Sequence, residues 1–292
     1  MLNKLPLTID DYSRWTEALR AENSRNSSQP FASNFLWHRH CPLLLVEAAG
    51  RLTLELACQK QGTYFLFPVG EGELRPAVEA LMEEIGQGLT FRYLEQPQAE
   101  ALEALFPGRF AVSEDRDSAD YLYSIAAFAS LGGKKLHGKR NFCNRFEATH
   151  SWSAQPLGRE HFPQCLALFD RWAQGRENVS DERTALSAAF THWDALQLEG
   201  TVLFIENELI AFSLGERLNE NSFDIHFEKA EASIPGAYPM IARETARQLL
   251  AAHPELTTLN REEDMGLPGL RKAKEEWRPE ALLMKYTAVL RY

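Results

Sequence analysis

Three stretches of this 292-residue chain carry ionisable side chains at spacings suited to chemistry. In Ser222-Phe223-Asp224-Ile225-His226-Phe227-Glu228-Lys229, apolar residues alternate with Asp224, His226 and Glu228. Strand alternation puts these three on one face, where ionisable groups are costly unless paired or turned to a cleft. His226 is then a candidate general base and Glu228 its orienting partner. The same trio could ligate a metal, but nothing else in the sequence supports that, and no metal is assigned. An exposed polar sheet face is the plainer alternative.

The second stretch runs from Asn260-Arg261-Glu262-Glu263-Asp264 to Arg271-Lys272-Ala273-Lys274, after a predicted strand and into a predicted helix. Ligands of α/β sheets gather at the carboxyl ends of strands, and helix N-termini favour anions. Arg261 joins His226 and Glu228 as a candidate catalytic residue, a cation for a phosphate or a developing oxyanion. Asn260, Glu262, Asp264, Arg271 and Lys274 are candidate substrate contacts, together with Asp224 and Tyr238.

The third stretch holds Lys134, Lys135, Lys139, Arg140 and Arg145 with no acid among them. With Asn141 these are candidate phosphate-binding residues on one helix, Lys134 to Phe146, with Leu136, Cys143 and Phe146 turned to a core. A solvated helix face balancing an acidic molecule is the alternative. His38-Arg39-His40-Cys41 has no second ligand cluster and is not assigned to metal. The glycines near Gly132-Gly133 form neither G-x-G-x-x-G nor a Walker pattern.

These segments need elements to position them. Helices are predicted from Ile9 to Leu19, Glu73 to Ile85 and Pro97 to Phe106, with strands at Pro42–Ala48, Leu52–Ala57, Thr63–Val69, Thr90–Leu94 and Arg109–Val112. Ala49-Gly50-Arg51 reads as a hairpin turn. After the basic segment come a strand at Trp152–Leu157 and helices at Glu160–Ala173 and Asp181–Leu198. Strands follow at Gly200–Glu206, Glu208–Glu216 and Ser222–Glu228, then helix Ala237–Ala252 and strand Leu256–Asn260. Helix Leu267–Trp277 and strand Ala281–Leu290 complete the order. Both halves thus read as helices, three strands, helix, strand, helix, strand, without residue identity between them. That order is the one of the GNAT acyltransferase fold. The expected class is α/β (α+β): tandem GNAT-like domains over 1–125 and 151–292, each a mixed central sheet flanked by helices, with a basic connecting helix over 126–150. A single mixed α/β domain is the alternative.

Composition bounds the function. The chain is 45% hydrophobic and 25% charged, with a formal net charge of −10, so bulk electrostatics do not make it a nucleic-acid binder. No apolar run approaches the roughly 20 residues that span a bilayer, and no signal-like core follows Met1, so a cytoplasmic protein is expected. Cys41, Cys58, Cys143 and Cys165 are scattered and read as reduced packing residues.

Taken together, the segments resemble a bacterial family related to the C-terminal domain of phosphatidylglycerol lysyltransferase. The matching residues are Gly133 to Asn141, Phe223 to Ala230, Pro235-Gly236-Ala237-Tyr238, Asn260 to Gly266, and Gly269 to Lys274. One departure is Ala242, where the family pattern has Asn. The resemblance implies a tandem GNAT fold and transfer of an amino acid from aminoacyl-tRNA to a lipid headgroup or a small amine or hydroxyl acceptor. It implies tRNA as partner and no tightly bound cofactor. An acyl-CoA-dependent N-acyltransferase and a non-catalytic binding protein are the rivals. CoA use is disfavoured because Ala232-Ser233-Ile234-Pro235-Gly236-Ala237-Tyr238 has one Gly and a Pro where backbone amides would grip a pyrophosphate.

Overall fold

The computed structural model describes residues 2–37, 41–58, 62–177 and 179–291. His38, Arg39 and His40 of the His-Arg-His-Cys stretch lie outside them. The first run of elements is β1 (Asn3–Pro6), α1 (Tyr12–Arg20), α2 (Phe31–Trp37), β2 (Leu43–Ala48), β3 (Arg51–Cys58), β4 (Gly62–Phe65), α3 (Leu74–Ile85), β5 (Thr90–Leu94), α4 (Gln96–Leu105) and β6 (Phe110–Ser124). Helices α5 (Ile125–Ser130) and α6 (His137–Thr149) follow. The second run is β7 (Trp152–Pro156), α7 (Phe162–Ala173), α8 (Ser180–Thr191), β8 (Glu199–Ile205), β9 (Glu208–Arg217), β10 (Ser222–Ala230), α9 (Ala237–Ala252), β11 (Thr258–Asn260), α10 (Pro268–Glu275) and β12 (Ala281–Leu290). The two runs have the same element order, and the fold is the mixed α/β, GNAT-like one.

Two compact units result. One comprises Met1–Asp120, Glu263–Pro268 and Leu282–Tyr292; the other Tyr121–Glu262 and Gly269–Ala281. Neither is a contiguous half of the chain. Almost all of β12 belongs to the first unit, and the end of β6 to the second. Strand pairing, not chain order, sets membership, and so these limits differ from 1–125, 126–150 and 151–292.

In the first unit the strand order is β1-β2-β3-β4-β5-β12-β6. Its core gathers Val46, Phe65, Val78, Leu81, Phe91, Leu102 and Ala288. Ala49 and Gly50 turn β2 into β3 with φ of 46° and 83°. Two successive left-handed residues suit the twist of a two-residue hairpin. At its open end Cys41 and Cys58 form a disulfide across a Cα–Cα distance of 5.0 Å. The expected reduced state therefore fails for this pair, because the β2–β3 ladder brings the two thiols together. Cys143 and Cys165 are buried and free.

In the second unit the order is β6-β11-β10-β9-β8-β7, over a core that includes Tyr121, Tyr123, Phe128, Phe146, Phe223, Met240 and Trp277. β10 pairs in parallel with β11 only through Ser222–Asp224 and Thr258–Asn260. Beyond Asp224 it runs on to Ala230 with β9 alone. Several of the candidate site residues lie on β10 and just past the end of β11. Among the described residues no helix is long and apolar enough to cross a membrane.

Candidate functional site

His226 sits at an irregularity of β10: Ile225 lies opposite Gly215, yet Phe227 lies opposite Leu214. An extra residue on one strand re-aims its side chains. The simple alternation of Asp224, His226 and Glu228 is therefore broken at His226. Its side chain is fully buried, with Nε2 3.1 Å from Glu216 Oε1, Nδ1 3.0 Å from Glu262 Oε1, and Nδ1 3.7 Å from Asp224 Oδ2. Burial alone would lower the His226 pKa, but the hydrogen bonds to Glu216 and Glu262 and the nearby Asp224 raise it well above the ordinary histidine value. Both nitrogens are occupied and the charged form is favoured. That geometry does not suit the general base expected from the sequence, since a base needs a free lone pair facing its proton.

Glu262 stands where Glu228 is expected from the sequence, as the carboxylate on His226. It holds a left-handed φ of 55°, uncommon for a residue with a side chain. Its amide donates to Asn260 Oδ1 at 2.7 Å, and its carbonyl accepts from the Tyr121 amide at 3.2 Å and Lys274 Nζ at 3.0 Å. Lys274 also donates to the Arg261 carbonyl. These bonds over-determine the backbone and keep the carboxylate on His226.

Glu228 instead pairs with Arg261: Nη2 donates to Oε1 at 2.6 Å, with side chains only 10% and 15% exposed. The guanidinium lies 5.5–6.0 Å from the ring centres of Tyr123, Phe128 and Trp277. This aromatic cage and the single carboxylate fix Arg261 just past the end of β11. Tyr238, on the first turn of α9, is half-buried, and burial raises its pKa.

The other candidates divide. Asn260 is fully buried and caps the turn into Glu262. Asp264 is fully buried in the first unit, paired with Arg116 at 3.1 Å and accepting the Gly266 amide at 2.9 Å. These bonds make it an organiser of its loop, contrary to the expected substrate contact. Arg271 is half-buried on α10.

The basic segment is helical only from His137; Lys134 and Lys135 occupy the preceding turn. Arg140 donates to the carbonyls of Leu131 (2.7 Å) and Gly133 (3.2 Å), and Lys139 pairs with Glu276 (3.3 Å) over the Trp277 ring. Both are anchored to the protein. Lys134, Lys135 and Arg145 are exposed, and among the described residues they form no ion pair. Asn141 is exposed beside His137.

Sequence reasoning missed Glu216, which pairs directly opposite Asp224 on β9. An acid at the end of a mostly apolar run, Leu209 to Gly215, was the available signal. It also missed Trp172, which lies 4.2 Å below Lys229 Nζ and 4.4 Å from the Arg176 guanidinium, while Lys229 pairs with Glu182 at 2.7 Å. A groove of about 530 Å³ elsewhere in the second unit is lined by residues such as Gln164, Arg171, Glu206 and Asn207, none of them a candidate from the sequence. Converging side chains, not that open groove, mark the candidate site.

The elements build a GNAT-like fold, and Glu228 and Arg261 pair beyond the point where β10 and β11 cease to run together. The chain belongs to the family of phosphatidylglycerol lysyltransferase C-terminal domains, whose profile matches residues 20–289. This is an aminoacyltransferase family. A conserved protein of unknown function from Bacteroides thetaiotaomicron is 31% identical with a TM-score of 0.93, each chain fully covered. The C-terminal domain of a putative lysylphosphatidylglycerol synthetase from Agrobacterium fabrum shares the fold at TM-score 0.67 and 15% identity, covering 97% of this chain and 92% of that one. L-PGS from Bacillus licheniformis does so at 0.66 and 17%, covering 94% and 90%. An uncharacterised protein of Mycoplasmoides gallisepticum is 26% identical over 175 residues. That match spans 58% of this chain and only 55% of the relative's length.

Proposed function

We propose that the second unit transfers an aminoacyl group from aminoacyl-tRNA to a lipid headgroup or a small soluble amine or hydroxyl acceptor. Membership of an aminoacyltransferase family supports the reaction class. The observation that carries the assignment is the Glu228–Arg261 pair, held at 2.6 Å beyond the end of the β10–β11 pairing. In such a transfer the acceptor oxygen or nitrogen attacks the ester carbonyl, its proton departs, and the tRNA ribose oxygen leaves as a hydroxyl. Glu228 takes the acceptor proton, and Arg261 steadies the oxyanion. Buried charges of this kind act strongly because water does not screen them. His226 and Lys274 position Glu262 and the Asn260–Glu262 turn, and the Glu262 carboxylate faces the donor amine.

Lys134, Lys135 and Arg145, with Asn141, meet the tRNA phosphates; Lys139 and Arg140 serve by holding the helix. The reading needs no tightly bound cofactor and puts the reaction in the cytoplasm, where aminoacyl-tRNA is made. The lone glycine of the Ala232–Tyr238 turn has a packing reason. A Cβ on Gly236 would come within 2.8 Å of the Phe142 carbonyl, so α9 and α6 require glycine there without any CoA.

The test is transfer of a labelled amino acid from a mixture of aminoacyl-tRNAs to extracted lipids and to polyamine or amino-sugar acceptors. Label should leave tRNA faster than spontaneous hydrolysis and appear in a product, and Glu228→Gln should abolish this. Label loss at the spontaneous rate, together with no salt-sensitive affinity for tRNA, overturns the reading in favour of a binding protein.

A further inference from the structure

We propose that Asp224, His226 and Glu262 bind one divalent metal ion of the zinc or manganese class. Each offers one ligand atom, and the three atoms lie within 4.8 Å of one another. An ion about 2.0–2.2 Å from each of three ligand atoms holds them no more than about 4.4 Å apart, so binding draws this triangle inward by side-chain rotation. The donor set is one imidazole nitrogen and two carboxylate oxygens with no thiolate, which suits a borderline or hard ion and not a soft one.

Burial gives the site one open side. The Asp224 and His226 side chains are fully buried, whereas that of Glu262 is 24% exposed. Three protein ligands with one accessible direction leave coordination positions for water or for an oxygen of a bound molecule. The frame is stiff. Asp224 and His226 stand on β10, and Glu262 is fixed by its left-handed backbone and by Asn260, Tyr121 and Lys274.

The orientation of His226 fits the same reading. Its Nε2 faces Glu216 Oε1 at 3.1 Å, while Nδ1 faces Asp224 and Glu262. An outer carboxylate on the far nitrogen of a ligating histidine fixes its tautomer and strengthens the near nitrogen as a donor. The ion takes the place of the proton between Nδ1 and Glu262. The site shares Glu262 and His226 with the proposed transfer site, but metal binding can be measured without any substrate, so failure of one reading is distinguishable from failure of the other.

The full chain, freed of metal by chelator and dialysed, is titrated with ZnCl2, MnCl2 and CoCl2 by calorimetry, and bound metal is counted by elemental analysis. We expect one ion per chain and visible ligand-field bands with cobalt. Glu262→Gln and His226→Gln should each weaken binding at least tenfold, and Glu216→Gln by about 10–100-fold through the outer carboxylate. His253→Gln, at the His253–Glu199 pair (2.9 Å), should leave binding unchanged. If His226→Gln does not fold, Glu262→Gln decides, because that side chain is partly exposed. No stoichiometric uptake at micromolar metal, or uptake unchanged by Glu262→Gln, overturns the proposal.

Discussion

Arg261 and Glu228, 33 positions apart, are joined by a 2.6 Å charge-assisted hydrogen bond. The link forms beyond the parallel pairing of β10 and β11, which ends at Asp224 and Asn260: Arg261 follows Asn260 directly, and Glu228 lies four residues past Asp224. A pair that is 10% and 15% exposed gains little from solvent screening and loses much if halved.

Replacing Arg261 by Ala strands a mostly buried carboxylate and empties an aromatic cage. We expect a loss of about 3 kcal/mol in urea unfolding, at the lower edge of the range for broken buried pairs. Glu228→Gln keeps an acceptor for the guanidinium and should cost less while removing the proposed proton acceptor. Equal losses from the two changes would argue that the pair only supports the fold.

Glu216→Gln removes one charged partner of a fully buried imidazole. The expected cost is about 2 kcal/mol, from losing a charge-assisted hydrogen bond without removing its shape. Thermal and urea unfolding of the metal-free protein check it; a change below about 0.5 kcal/mol would show that Glu216 does not hold His226.

The tRNA surface separates by cation. Lys134→Ala, Lys135→Ala and Arg145→Ala combined should weaken tRNA binding and flatten its salt dependence by up to about 0.9 for each phosphate no longer neutralised. Lys139→Ala and Arg140→Ala should chiefly lower stability, because their charges are already used on Glu276 and on the Leu131 and Gly133 carbonyls. Filter binding between about 50 and 200 mM salt reads both, and a salt slope that follows Arg140 but not Lys134 would reverse the assignment.

The Cys41–Cys58 bond closes a loop with a sequence separation of 17. Loops of that size lose about 3 kcal/mol of unfolded-state entropy on crosslinking. Cys58→Ser, or reductant, should lower unfolding stability by about that amount; identical curves with and without reductant would show that the bond adds nothing.

Burial pushes the Cys143 thiol up from 9.0 to about 11. A group with a raised folded pKa stabilises fully below its unfolded value, and that stabilisation disappears as pH rises through the folded one. Stability should therefore fall between about pH 9 and 11, and a Cys143→Ala protein should show less of that fall. At a pH of about 8, below both values, a thiol reagent should label Cys143 only after unfolding. Prompt labelling of the folded chain would contradict the burial.

Much of the fold is legible in the sequence because its signals are local. Period-two and period-3.6 patterns give β2, β3, β10, α3 and α9, and Gly50 marks the hairpin. What escapes has no such signal. The pattern carries β6 only to Val112, since Glu114, Asp115, Arg116 and Asp117 look like a loop; in the sheet the strand lies between β12 and β11 and runs on to Ser124. Short α2 and α5 have too few turns for periodicity to show.

The sequence by itself determined the class of fold and pointed to the segments of the candidate site, because apolar spacing and the ends of predicted strands are properties of nearby residues. Which acid meets which base is decided between strands. One extra residue at His226 and the end of β11 at Asn260 hand Glu228 to Arg261 and His226 to Glu216 and Glu262. Strand exchange likewise puts Lys285 of β12 against Asp120 at 2.6 Å, both fully buried, so that the first unit needs the end of the chain. Register and pairing are long-range, and a linear pattern carries no measure of them until the sheet is formed.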